Sequence, residues 1–465
     1  MEIKRGRNEL ILIGWAGTSI HLLHYPMSDI QDAPRTFGGI LKQLGPGLII
    51  SANIVGSGEL IVTTKLGADV GFILLWFIIL GCVIKVFVQM ELGRYAISRG
   101  KTTLQAMNSV PGPKVIVSWL VWLWMVMFAA IFFQLSGMVG GVAQVLGLAG
   151  SNLSHTVLAI LITGSCAILL WVGRYKFIQT FSTFMVAAFT IFTIFAVFSL
   201  YWTDFGITGS QVGEGLSFGL PDDFLIAFAA FGVIGVGASE LIYYPYWCLE
   251  KGYAKCVGPD DGTDAWVVRA KGWLRVMRYD ALCSLVIYTG ATVAFYLLGA
   301  AVLHGQGIPV TNDNLMVNLS NLYSTSFGDV GLWIFIVGAI VVLYSTIFIS
   351  TASNSRLAAD VVGLLGIVKL DTPEKRAKAI RIACVVLPSL YCIFYLSVGK
   401  PVTLVTIGAV AQALMLPFLS FAALYFLYKQ THEQLRPSPV WVFFLWVSGV
   451  LMASVGLYQV VKVFG

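Results

Sequence analysis

Apolar residues in this chain do not alternate with polar ones at short intervals. They run in blocks of about 20, the length that carries a helix across roughly 30 Å of hydrocarbon. Eleven such blocks occur, centred near residues 57, 81, 128, 164, 190, 236, 291, 341, 390, 415 and 450. The pattern predicts an all-α membrane protein with eleven transmembrane helices in residues 44–465, preceded by an N-terminal segment, residues 1–43. In that segment the apolar run from Leu10 to Ile20 is too short to span, is broken by Gly14 and Gly17, and lacks a small-residue cleavage site. An interfacial or partly ordered cytoplasmic stretch is expected there.

Composition points the same way. Hydrophobic residues make up 58% of the 465 positions and charged residues 11%, against roughly 25% charged in soluble domains. Basic residues near span ends collect on the cytoplasmic side. With the N-terminus inside, all of the 29 lysines and arginines except Lys65, Lys85, Lys400 and Lys462 fall in or beside cytoplasmic loops. The predicted topology is therefore a multi-pass bacterial inner-membrane protein with a cytoplasmic N-terminus and an external C-terminus. The formal net charge of +6 is accounted for by that placement and implies no nucleic-acid partner; the expected partners are the lipid bilayer and a small solute or cation.

The sequence offers little to an enzyme. It contains no H-E-x-x-H, C-x-x-C or G-x-S-x-G motif, and its five histidines lie near span ends or in loops. Gly100, Lys101 and Thr102 imitate the end of a phosphate-binding loop, but Tyr95 stands where that loop needs a glycine. No cofactor is expected, and uphill transport would draw on an ion gradient. The seven cysteines lie mostly in or beside apolar spans and read as small core residues.

One pattern recurs inside the chain. Gly56-Ser57-Gly58-Glu59-Leu60-Ile61 in span 1 is echoed by Gly237-Ala238-Ser239-Glu240-Leu241-Ile242 in span 6. Glycine in a helix interior costs about 1 kcal/mol against alanine, and a midplane carboxylate costs at least about 2.5 kcal/mol. Paired interruptions of this kind mark binding sites in transporters built from repeats. The charge pattern makes span 1 run outward and span 6 inward, so the repeats, about 44–201 and 222–428, are expected to be inverted, with 438–462 as an extra helix. Broken helices predict exposed N–H groups and carbonyls side by side. Glu59 and Glu240 are candidate cation or metal ligands, or caps of the second half-helices with Ser57 and Ser239. Asn53, Tyr243, Tyr244, Ser345, Thr346 and Gln412 are candidates to line the same cavity, while Lys85 is expected near a partner or snorkelling.

Leu44-Gly45-Pro46-Gly47-Leu48, Arg99-Gly100-Lys101 with Leu104, Gly237-Ala238, Ser350 to Val362, and Gln412 to Ser420 with Leu416-Pro417-Phe418 together resemble the Nramp family of metal transporters. The resemblance implies a LeuT-like fold with eleven spans and secondary transport, commonly proton-coupled uptake of divalent metal. It also exposes departures. The family's Asp-Pro-Gly-Asn signature falls on Gly56, Ser57, Gly58 and Glu59, and its Met-Pro-His on Leu241, Ile242 and Tyr243. Ala238 keeps the place whose carbonyl contacts metal in the family. Span 3 has no acidic residue and span 9 no buried arginine beyond Arg381 at its start, so the family's usual proton route lacks its charged members.

Two functional classes follow. In the first, Glu59 and Glu240 replace the lost ligands and, with carbonyls near Gly56 and Ala238, favour a hard ion such as magnesium or manganese. In the second, an ion-coupled carrier takes a small organic solute, with room left by Gly56 and Gly58 and with Tyr243, Tyr244, Tyr246 and Trp247 beside the break. A non-transporting sensor or membrane enzyme would need an added domain or motif that the sequence does not contain.

Overall fold

The computed structural model describes residues 2–5, 9–13, 25–26, 29–56, 58–172, 175–221, 225–307 and 314–464. Ser57, His21, His24 and Arg174 lie outside these residues. Nine described helices are long and apolar enough to cross a membrane: Pro46–Val70, Leu75–Arg99, Trp119–Leu148, His155–Val172, Asp264–His304, Val330–Leu364, Pro373–Val398, Pro401–Lys429 and Pro439–Tyr458. Tyr175–Ser199 and a helix interrupted between Leu225–Phe231 and Ala238–Lys251 complete the eleven. They are numbered here as spans 1 to 11 in chain order, the last two named being spans 5 and 6.

Local chemistry sets the ends of these helices. Pro46, Pro373 and Pro401 open spans 1, 9 and 10, where a missing N–H costs nothing. Ser118 caps span 3 and Thr372 caps span 9 through their hydroxyls. Gly399, at φ 65°, closes span 9 and lets span 10 begin two residues later.

Span 1 is not one regular helix. Pro46–Ile54 ends at Val55, and the chain resumes as a wide π-type turn, Gly58–Thr63, before Thr64–Val70. Span 6 opens in the same way between Phe231 and Ala238. Spans 3 and 10 pack along each other and close one side of the two breaks. Span 8 covers the other side through its contacts with span 1 and span 3.

Residues before span 1 pack onto the protein. The described strands Glu2–Arg5, Glu9–Ile13 and Tyr25–Pro26 pair antiparallel. Gln31 donates its N–H to the Cys256 carbonyl and accepts from Trp273 Nε1, and Tyr253 donates to the Gln43 carbonyl. The stretch from residue 29 is therefore anchored to the end of span 7 and the loop before it.

Candidate functional site

Span 1 reaches the membrane interior with its start fixed by span 7. Asp280, fully buried, accepts from the N–H groups of Gly45 at 2.8 Å and Gly47 at 2.6 Å. It thereby fills the role of a cap that Gly45, lacking a side chain, cannot supply. Tyr244 donates to the same carboxylate at 3.1 Å. Tyr244 is thus part of this anchor and does not line the cavity described next.

That cavity lies at the two breaks. Asn53, one residue before the end of the first half of span 1, donates through Nδ2 to Glu240 Oε1 at 2.5 Å. Ser350 of span 8 holds the other end of the amide, donating to Asn53 Oδ1 at 2.7 Å. Across the cavity Gln412 Oε1 accepts from the Ser239 N–H at 2.9 Å, and Gln412 Nε2 donates to Gln134 Oε1 at 2.9 Å. Tyr243 adds to the polar wall and donates to Asn354 Oδ1 at 2.6 Å. The Ser239 hydroxyl lies on the same wall beside Tyr243. About 20 Å³ is open to the centre of a water-sized sphere, which admits a water or a single ion.

Gly237 makes this convergence possible. A Cβ there would sit 2.6 Å from Glu240 Oε2 and 2.7 Å from Gln412 Oε1. Any side chain would displace the carboxylate or the amide.

The two glutamates of the sequence echo occupy different surroundings. Among the described residues Glu240 is the single carboxylate on the cavity wall. Glu59 is fully buried behind it, where its oxygens accept from the Gly235 N–H at 3.1 Å and the Thr63 hydroxyl at 2.7 Å. Glu59 thus ties the second half of span 1 to the turn of span 6. Lys85 of span 2 lies within electrostatic reach of both carboxylates.

The remaining sequence candidates separate as well. Gly56 does not line the cavity: a Cβ there would fall 1.5 Å from the Thr346 hydroxyl, and the Gly56 carbonyl accepts from Leu60 N–H. The space that a side chain would need is filled by span 8, so Gly56 leaves no room for a solute. Gly58 does line the cavity. Ala238 and Leu241 are buried in the packing of the second half of span 6 and are not on the wall. Ser345 bonds back to Val342 within span 8, whereas Thr346 is on the wall. Of the aromatic set, Tyr246 donates to Asp360 and Trp247 to Ser353, which removes both from the site. Ser57 lies outside the described residues.

Sequence reasoning missed Gln134, Asn354 and Asp280. Gln134 is one of two amides, with Gln144, in a span of apolar residues that has no acid, and a polar group in the middle of such a span was the available signal. Met138, one turn further along span 3, is the one sulfur on the wall among the described residues. Among the described residues no three His, Cys, Asp or Glu side chains cluster as a metal site, so any cation here would depend on Glu240 together with neutral oxygen donors.

Comparison with known proteins places this geometry. A family model described as natural resistance-associated macrophage protein-like (Nramp) matches residues 47–462. A divalent metal cation transporter, MntH of Staphylococcus haemolyticus, is 21% identical over 84% of this chain and 84% of its own length. Crystal structures of mutants of a manganese transporter from Eremococcus coleocola superpose with a TM-score of 0.67 at 15% identity, covering 94% of this chain and 92% of theirs. Mhp1, a nucleobase-cation-symport-1 family transporter with bromovinylhydantoin bound, superposes at 0.56 with 14% identity, covering 93% and 96%. At such identities these structures speak to the fold, which is the LeuT-like one.

Proposed function

Since the chain belongs to the natural resistance-associated macrophage protein-like (Nramp) family, we propose that it is a secondary active transporter that moves a divalent metal cation by alternating access. The observation that carries this reading is the cavity at the two breaks, which is small enough for one ion and has Glu240 as its only carboxylate among the described residues. Glu240 would supply the charge. Asn53, Gln134, Gln412 and the Ser239 hydroxyl would supply neutral oxygens around it. A donor set dominated by oxygen suits a hard cation such as magnesium or manganese. The relatives named above are described as carrying divalent metal and manganese, which agrees with that class.

The organic-solute alternative keeps only Gly58 and Tyr243 of its sequence support. Its aromatic cue is reduced to Tyr243, and the volume expected at Gly56 is occupied by Thr346. The repeats about 44–201 and 222–428 would exchange the cavity between the two sides, with the N-terminus in the cytoplasm and the C-terminus outside.

Uptake into proteoliposomes with magnesium, manganese, cobalt, cadmium, small acids and small amines tests the substrate class. Uptake of manganese or magnesium is expected, with no accumulation of the organic solutes. The hardness of the site is tested by Met138→Leu. If the thioether is a wall and not a ligand, manganese affinity changes by less than about twofold, and a large selective loss for cadmium would make sulfur a ligand.

A further inference from the structure

The first half of span 6 ends on carbonyl groups that face a cation belonging to the protein itself. Lys85 is fully buried midway along span 2, in the helix Leu75–Arg99. Its ammonium donates to the carbonyl of Phe231 and, at 2.7 Å, to the carbonyl of Ile234. It also sits 4.4 Å from the centre of the Phe231 ring. Roughly 15 Å of helix separates it from the nearer end of span 2, so its side chain cannot snorkel to water.

Phe231 closes the helix Leu225–Phe231, and Ile234 lies in the turn that follows. The carbonyl end of a half-helix carries partial negative charge, and in transporters with discontinuous helices such ends coordinate the coupling cation. Lys85 already stands in that position. The turn then continues through Gly235, at φ +59°, whose N–H is held by Glu59. A cation from span 2 and a carboxylate from span 1 thus hold the two ends of one peptide group, Ile234–Gly235, two residues before Gly237 and the segment that carries Glu240.

We propose that Lys85 is a tethered cation occupying the carbonyl site of span 6, so that this site takes no monovalent ion from solution. Its charge makes it a positioning residue for the turn that presents Glu240. The inference rests on the metal-transport reading only for the uptake measurement.

Purified protein is first melted in sodium, lithium, potassium and choline chloride at equal ionic strength. Equal midpoints are expected, and stabilisation specific to sodium or lithium would overturn the proposal. Lys85→Ala is then melted with propylammonium or with propanol. Recovery of at least half the lost midpoint by propylammonium, and little by propanol, is expected. Equal recovery by both would show that Lys85 only fills space and would sink the idea. Lys85→Gln keeps hydrogen-bonding ability without charge, and wild-type stability together with wild-type manganese uptake in that variant would also overturn it. If neither variant folds, the ion series on the unaltered protein still decides. Wild-type manganese uptake is expected to be unchanged when choline replaces sodium, and a requirement for sodium counts against the proposal. A complete absence of manganese uptake would defeat the metal reading while leaving the melting result to judge Lys85.

Discussion

At the scale of single residues, the echoed glutamates show how far a sequence pattern reaches and where it stops. The repeated small residues and carboxylates located both breaks, because glycine and a buried acid are each costly in a membrane helix. They did not tell the two acids apart. That difference arises from the partners each meets across the fold: Asn53 and the cavity for Glu240, Gly235 and Thr63 for Glu59. Glu240→Gln should therefore weaken metal binding by roughly 10- to 150-fold, from about 1.5 to 3 kcal/mol for a charged hydrogen bond at 1.4 kcal/mol per decade. Glu59→Gln should leave binding within a few-fold and lower the melting temperature, since its amide would turn a donor toward one of two donors. Calorimetry with manganese beside thermal melting separates the pair, and equal binding losses in both would refute the distinction. Gly56 gives a second test at this scale. Gly56→Ala should destabilise by about 1 to 3 kcal/mol through overpacking, and Thr346→Ala in the same chain should restore most of it. Failure of the second change to help would mean that Thr346 is not the obstacle.

At the scale of elements, hydropathy was informative because a span must bury about 20 successive residues in lipid, and that demand leaves a signal in any single chain. All eleven spans were legible in this way. Contacts between spans were not, since they join positions far apart in sequence. Asp280 reads as one acid close to Arg275 and Arg278, an ordinary neighbour of a cytoplasmic loop. In the fold it is the cap of span 1 and the partner of Tyr244. Lys85 likewise reads as a lysine seeking any partner, and only the turn of span 6 identifies the partner as a carbonyl end. Asp280→Asn would keep the shape of the side chain but lose its charge and one acceptor, so a loss of about 1.5 to 3 kcal/mol is expected. Because the anchor sets the start of span 1, metal affinity should fall with it. Melting and binding measured on the same sample check this, and intact stability would show that the carboxylate charge is not needed.

At the scale of the whole molecule, the charges that orient the chain also join its helices. Glu250, at the end of span 6, pairs with Arg356 of span 8 at 3.2 Å, and Arg376 of span 9 reaches both Glu250 and Asp360. Arg99 of span 2 approaches Asp260 at 3.6 Å and donates to the Gln430 carbonyl after span 10. These contacts gather the basic ends of spans 2, 6, 8 and 9 on one face of the protein, the face that the proposed orientation puts in the cytoplasm. The loop with Ser210 lies between spans 5 and 6, where basic residues are nearly absent, and Ser210 is exposed. Lys378 is exposed at the start of span 9, among the basic residues. In intact cells an impermeant maleimide should therefore label Ser210→Cys well above the parent protein. Lys378→Cys should be labelled only after the cells are opened. The reverse pattern would invert the proposed orientation and, with it, the direction in which the breaks of spans 1 and 6 open, while leaving the cavity around Glu240 as it is.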